Sequence, residues 1–103
     1  MLDRDMTTVA GDAGRAVVAV TGEVDASNAE DLCLAILDAA SRRRSPIEVD
    51  LAGVTFMDST GIRAIADASV ALAASGAGLV LRNVPRQVQR LLTITEATLE
   101  VSR

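Results

Sequence analysis

The chain has no histidine, no lysine, no tryptophan and no tyrosine, and Phe56 is its single aromatic residue. Without histidine, the commonest general base and metal ligand is missing. Without lysine, neither a P-loop nor Schiff-base chemistry can be built. All ten basic residues are therefore arginine. The single cysteine, Cys33, has no partner for an internal disulfide and no companions for a zinc cluster. It falls beside apolar positions of a helical segment and reads as a small core residue rather than a redox centre. No apolar run approaches the ~20 residues that span a bilayer, and the stretch Ala68 to Leu81 is interrupted by Ser75, Gly76 and Gly78. Met1-Leu2-Asp3-Arg4-Asp5 lacks the basic start and apolar segment of a secretory signal. A cytoplasmic protein away from the membrane is expected. A net charge of −4 argues against nonspecific nucleic-acid binding.

What is present is a chain of 103 residues, half of them hydrophobic. That length suits one domain, residues 1–103, with a modest core built of Val, Leu, Ile and Ala. Met6 to Ala10 and Ala16 to Thr21 read as strands, joined through Gly11-Asp12-Ala13-Gly14 into a hairpin. Val17-Val18-Ala19-Val20 is apolar throughout, as in a strand covered on both faces. Asp25 or Ser27 caps a first helix, with Glu30 and Asp31 in its first turn and Leu32, Ile36, Ala39 and Ala40 facing the core. Arg42-Arg43-Arg44 falls where that helix ends. Attraction to the negative helix terminus accounts for it, a docking patch being the other reading. Ile47 to Leu51 is a third strand. A second helix runs from about Thr60 to Ala74, with Ile62, Ile65, Ser69 and Leu72 on one stripe joined by Ala66, Val70 and Ala73. Gly76 ends it as a left-handed cap. Leu79 to Leu81 is a fourth strand. Asn83 to Pro85 opens a third helix with Val88, Leu91 and Leu92 inside, and Leu99 to Val101 is a possible last strand. The order implies an α/β fold, a small mixed sheet of four to five strands with helices packed on it. It starts with a β-hairpin and continues by right-handed β-α-β crossovers.

The segment that carries chemistry is Val54-Thr55-Phe56-Met57-Asp58-Ser59-Thr60-Gly61-Ile62. A strand runs into a short turn, and a helix opens behind Asp58-Ser59. Ser59 then stands at a helix N-terminus, where backbone N–H groups lack partners and the dipole is positive. A phosphate added there would sit in an anion site and change the local charge by about −2. Ser, Asp and Thr are also the preferred N-caps, so capping alone explains the same residues.

Asp50 to Ile65, DLAGVTFMDSTGIRAI, resembles the phosphorylation-site segment of STAS domains. It is most similar to the anti-sigma factor antagonists (anti-anti-sigma factors) of bacterial partner-switching systems. Thr21 to Leu32, TGEVDASNAEDL, resembles a second family segment, G-E-[LV]-D-x-x-x-A-x-x-L, expected after the second strand and opening the first helix. The likeness runs from about Val17 to Thr95 and fades at both ends. Family members usually close with an amphipathic helix, whereas this chain stops at Val101-Ser102-Arg103.

The resemblance implies a STAS fold and a binding module rather than an enzyme. The unmodified protein would bind an anti-sigma factor with GHKL-type serine kinase activity and so free a sigma factor for transcription, as in stress responses. Phosphorylation of Ser59 would weaken that complex, and a PP2C-type phosphatase would reset it. Thr60 is a weaker alternative acceptor. Asp58 would hold the loop or orient the hydroxyl. Glu23 and Asp25 match acidic positions that lie near the acceptor and contact the partner, though Asp25 also suits a helix cap. Gly61 would allow close approach of a backbone or partner, or simply fit the first helical turn. The resemblance implies no cofactor and no metal, and a monomer or weak dimer. Two alternatives stay open: a STAS domain that senses a nucleotide or other anion, and a STAS module of a larger assembly. Catalysis by Ser59 lacks a base, and the segment is not G-x-S-x-G.

Overall fold

The computed structural model describes residues 7–12, 15–42, 46–95 and 99–101. Two strands open the chain, β1 (Thr7–Asp12) and β2 (Arg15–Val24), and pair antiparallel from Thr7↔Val20 to Asp12↔Arg15. Gly11 and Asp12, expected in the turn, are strand residues. The pairing runs through both, to Asp12↔Arg15, so the connection is shorter than the four-residue loop expected, and Ala13-Gly14 lie outside the described residues. Helix α1 (Ala29–Arg42), strand β3 (Ile47–Met57), helix α2 (Ser59–Ala74), strand β4 (Leu79–Arg82), helix α3 (Arg86–Thr95) and strand β5 (Glu100–Val101) follow. The sheet order is β1-β2-β3-β4-β5, with β2 through β5 parallel to one another.

Each crossover moves one strand along in the same direction. Right-handed connections then put α1, α2 and α3 on one face of the sheet, and the helices pack in succession, α1 on α2 and α2 on α3. Beneath them lie Val18, Val20, Val49, Leu51 and Leu81, fully buried, met by Leu32, Ile36, Ile65, Leu72 and Val88. Every buried side chain is aliphatic, Met57 included; among the described residues none is polar or charged. On the other face Val17, Ala19, Glu48, Asp50, Val80 and Arg82 are half-buried. The apolar run Val17 to Val20 is therefore covered by helices on one side, not both. Glu48 and Arg82 pair across that open face at 2.9 Å, in neighbouring strands whose registers set them on the same side.

Two further expectations shift. In α2 the buried set is Gly61, Ile62, Ala64, Ile65, Ala68 and Leu72, while Ser69 is half-buried and Val70 and Ala73 face solvent. Ala68 takes the inner position expected for Ser69. In α1, Leu32, Ile36 and Ala39 are buried as their spacing required, with Ala40 half-buried. α1 ends at Arg42; Arg43 and Arg44 lie outside the described residues. Cys33 is half-buried against the core. Burial pushes its thiol pKa up, and the charges of Asp67 and Glu30 add to the effect, which disfavours the reactive thiolate. No helix among the described residues is long and apolar enough to cross a membrane.

Candidate functional site

The two segments singled out in the sequence meet at the far end of β2 and β3. Neither strand stops where the hydrophobic alternation does. β2 continues through Thr21-Gly22-Glu23-Val24 and β3 through Ala52 to Met57. The pairing absorbs two irregularities, between Ala19 and Thr21 and between Gly22 and Glu23. Gly22 takes a positive φ of 84° in that bulged stretch, a conformation other residues adopt only with strain. In β3 the buried positions change from every second residue (Ile47, Val49, Leu51) to every third (Val54, Met57). What reads as a turn after Leu51 is a bulged strand. The TGEVDASNAEDL segment correspondingly spans the end of β2, a loop at Asp25 to Asn28, and the start of α1 at Ala29, rather than opening the helix directly.

This extension sets Glu23 opposite Phe56 and Val24 opposite Met57. Val24 and Met57 point into the core; Glu23 and Phe56 are exposed, and the only aromatic residue of the chain is 45% accessible. The Asp58 N–H donates to the Val24 carbonyl at 3.1 Å, so the loop after β2 and the start of α2 are joined by backbone. Glu23, Asp25, Asp58 and Ser59 are thereby gathered on one rim.

Asp58, not Ser59, caps α2. Its backbone is extended (φ −103°, ψ −176°) and its carboxylate accepts the Thr60 N–H at 2.9 Å and the Thr60 hydroxyl as well. The Asp58 carbonyl accepts from the Gly61 and Ile62 N–H groups at 3.1 and 3.4 Å. Three of the donors expected to hold an anion at this helix terminus, the N–H groups of Thr60, Gly61 and Ile62, are thus already held by Asp58. Ser59 is the first helical residue, exposed, and its hydroxyl makes no hydrogen bond among the described residues. Thr60 is half-buried with its hydroxyl committed to Asp58. Gly61 is buried: a Cβ there would lie 2.6 Å from Met57 Cγ and 2.9 Å from Val24 Cγ1. The glycine lets the first turn of α2 seat against the ends of both strands.

Asp25 builds the other loop. Its carboxylate accepts the Ser27 N–H at 2.9 Å and the Ser27 hydroxyl at 2.5 Å. Bonding to the Ser27 hydroxyl first, then to its N–H, holds the Asp25 pKa below the ordinary carboxylate value. Asp25 thus closes a turn ahead of α1, and its carbonyl receives the N–H groups of Asn28 and Ala29.

Two residues absent from the sequence reading matter here, and both are carboxamides. Asn28 accepts the Asp25 N–H at 3.0 Å and donates to the Glu23 carbonyl at 2.8 Å, bracing the acidic loop. Gln87 of α3 accepts the Met57 N–H at 3.0 Å and donates to the Met57 carbonyl at 2.6 Å. Asn28 lies inside the TGEVDASNAEDL segment, so its place could have been noticed. Gln87 lies 30 residues from its partner, and no local pattern points to it. Among the described residues no group of acidic or cysteine side chains could hold a metal ion.

The family model described as Mlab, STAS domain matches residues 7–98. No curated protein matches the chain as a sequence relative. Among solved structures, an anti-sigma factor antagonist from Mycobacterium paratuberculosis is similar at TM-score 0.80 and 24% identity, covering 98% of this chain and 89% of that one. The anti-sigma factor antagonist SpoIIAA in its unphosphorylated form is similar at TM-score 0.70 and 19% identity, covering 94% of this chain and 87% of that one. The murine Solute Carrier 26 family member A9 anion transporter is similar at TM-score 0.70 and 20% identity, covering 91% of this chain but 17% of that one. At these identities the likeness is one of fold.

Proposed function

Since the chain belongs to the STAS domain family, we propose that it works as an anti-sigma factor antagonist whose partner binding is gated by phosphorylation of Ser59. The observation that carries this reading is the division of labour at the start of α2. Asp58 does the capping, which leaves the Ser59 hydroxyl exposed and, among the described residues, without a hydrogen bond on an acidic rim. The two antagonist structures of similar fold and near-equal length support it.

A phosphate on Ser59 carries about −1.5 to −2 charges at neutral pH. With the Thr60, Gly61 and Ile62 N–H groups held by Asp58, those donors are not open to the dianion, which stays at the surface. It adds to the charge of Asp58, with Glu23 at the end of β2 and Asp25 on the adjoining loop, and has to be desolvated at any interface formed there. A loss of a few kcal/mol in binding is about two to three decades of affinity. The partner in this reading is an anti-sigma factor with serine kinase activity, a PP2C-type phosphatase removes the phosphate, and the chain is substrate rather than enzyme. Glu23, Asp25, Asp58 and Ser59 form the contact rim. Thr60 holds the cap and Gly61 seats the helix beneath it. The setting is the bacterial cytoplasm.

The test is intact-mass and peptide mass spectrometry on the protein from its native cells, beside a Ser59→Ala variant. A phosphate-sized increment on the peptide containing Asp58-Ser59-Thr60, missing from the variant, is expected. An unmodified Ser59 across several growth conditions would sink the switch and turn attention to nucleotide binding, read as a shift in Tm.

A further inference from the structure

β4 pairs with β3 only from Ile47 to Asp50. Beyond that point, among the described residues, the outer edge of β3 runs on to Met57 without a strand beside it, yet the Met57 N–H and carbonyl on that edge are not left open. The Gln87 carboxamide meets both, accepting at 3.0 Å and donating at 2.6 Å. The side chain presents one acceptor and one donor to a single backbone residue, as a neighbouring strand's peptide groups would. The opposite amide orientation would face donor to donor and acceptor to acceptor, so the pairing fixes the flip.

We propose that Gln87 is a positioning residue for the segment Met57 to Thr60, standing in for the missing strand and tying α3 to the helix start that carries Ser59. Met57 is held on its other side through β2, because Asp58 donates to the Val24 carbonyl at 3.1 Å. Its own side chain is buried under Gly61. The segment is thus pinned between β2 and α3, and α3 is itself anchored by the buried Val88 next to Gln87. Any rotation of α3 that moves Gln87 pulls on the residue immediately before the Asp58 cap. The functional consequence rests on Ser59 being the acceptor; the mechanical one does not.

Backbone amide hydrogen exchange, followed by NMR on the full chain, separates the two. Gln87→Met keeps length and packing but removes both hydrogen bonds; Gln87→Glu keeps the acceptor for the Met57 N–H. In Gln87→Met the Met57 and Thr60 amides are expected to exchange about tenfold faster, with Val49 and Leu81 unchanged. In Gln87→Glu the Met57 amide should retain protection. Wild-type rates at Met57 and Thr60 in Gln87→Met would reduce Gln87 to a space-filler and overturn the proposal. Mass spectrometry of Ser59 on the same proteins, expressed in native cells, reads the other question. An unmodified wild type defeats the switch while leaving the exchange result to decide Gln87. A modified wild type with equal modification of Gln87→Met overturns the positioning of Ser59.

Discussion

The two ends of α2 solve the same problem by different means. Both leave backbone groups without helical partners, and both use a glycine. At the C-terminal end Gly76 adopts a φ of 82°, its N–H meets the Ala73 carbonyl at 3.0 Å and the Ala77 N–H reaches back to Leu72 at 2.9 Å. That is a Schellman closure, complete within six residues. A Cβ on Gly76 would touch nothing. At the N-terminal end Gly61 is buried and a Cβ would strike Met57 and Val24. The first glycine is there for conformation, the second for space. One end is a local stop facing solvent. The other is wedged into the sheet and tied to β2 and α3 by Val24 and Gln87, so that the exposed hydroxyl of Ser59 rests on a rigid base.

The largest test of that contrast is Gly61→Val. Overpacking against Met57 and Val24 should destabilise the fold by about 3 kcal/mol, read as a lower urea midpoint at unchanged m-value; a near-neutral result would mean the wedge is soft. Gly76→Ala meets no steric neighbour, so its cost is the left-handed φ alone, about 1–2 kcal/mol. Gly76→Asn, which tolerates that region, should recover part of it. A loss in Gly76→Ala as large as in Gly61→Val would erase the distinction between the ends. Asp58→Ala removes the cap and should cost about 1 kcal/mol, whereas Asp58→Asn keeps an acceptor for the Thr60 N–H and should cost less. Ser59→Ala, at an exposed and unbonded hydroxyl, should change stability by no more than about 0.5 kcal/mol while abolishing the proposed modification. The smallest effect concerns the neighbouring loop. Asp25 has its pKa lowered in the folded state by Ser27. Its contribution is therefore present at neutral pH and lost as pH falls through that depressed value. A carboxyl titration by NMR should show the Asp25 midpoint move upward in Ser27→Ala; an unmoved midpoint would mean the bond to Ser27 is not what holds it down.

The sequence was most readable where one local rule applies. Helical spacing identified Leu32, Ile36 and Ala39 as inner positions, and Gly76 marked the end of α2. It was least readable where one element answers another. Ser59 could be taken for the cap because Ser and Asp are both good caps; only the extended backbone of Asp58 and its bond to the Thr60 N–H assign the role. The continuation of β3 from Ala52 to Met57 broke the alternation, since each register shift against β2 places an extra residue in β3 and changes which of its side chains face inward. Ser69 suits the inner stripe because it stands four residues after Ile65 and three before Leu72; Ala68, three after and four before, satisfies helical spacing equally, and the choice between them belongs to the facing surface.

The sequence by itself determined an α/β chain with an aliphatic core and a DSTG segment at a helix start. Periodicity, glycine and capping chemistry act over a few residues, and motif resemblance needs no coordinates. Only the tertiary structure decided that Gly61 is a matter of space, that Asn28 braces the acidic loop, and that Gln87 completes the unpaired edge of β3. The contacts of Gly61 with Val24 and of Gln87 with Met57 join residues far apart in the chain, and those of Asn28 join near ones; in each case a hydrogen bond or a steric contact exists only once folding has brought its two partners together.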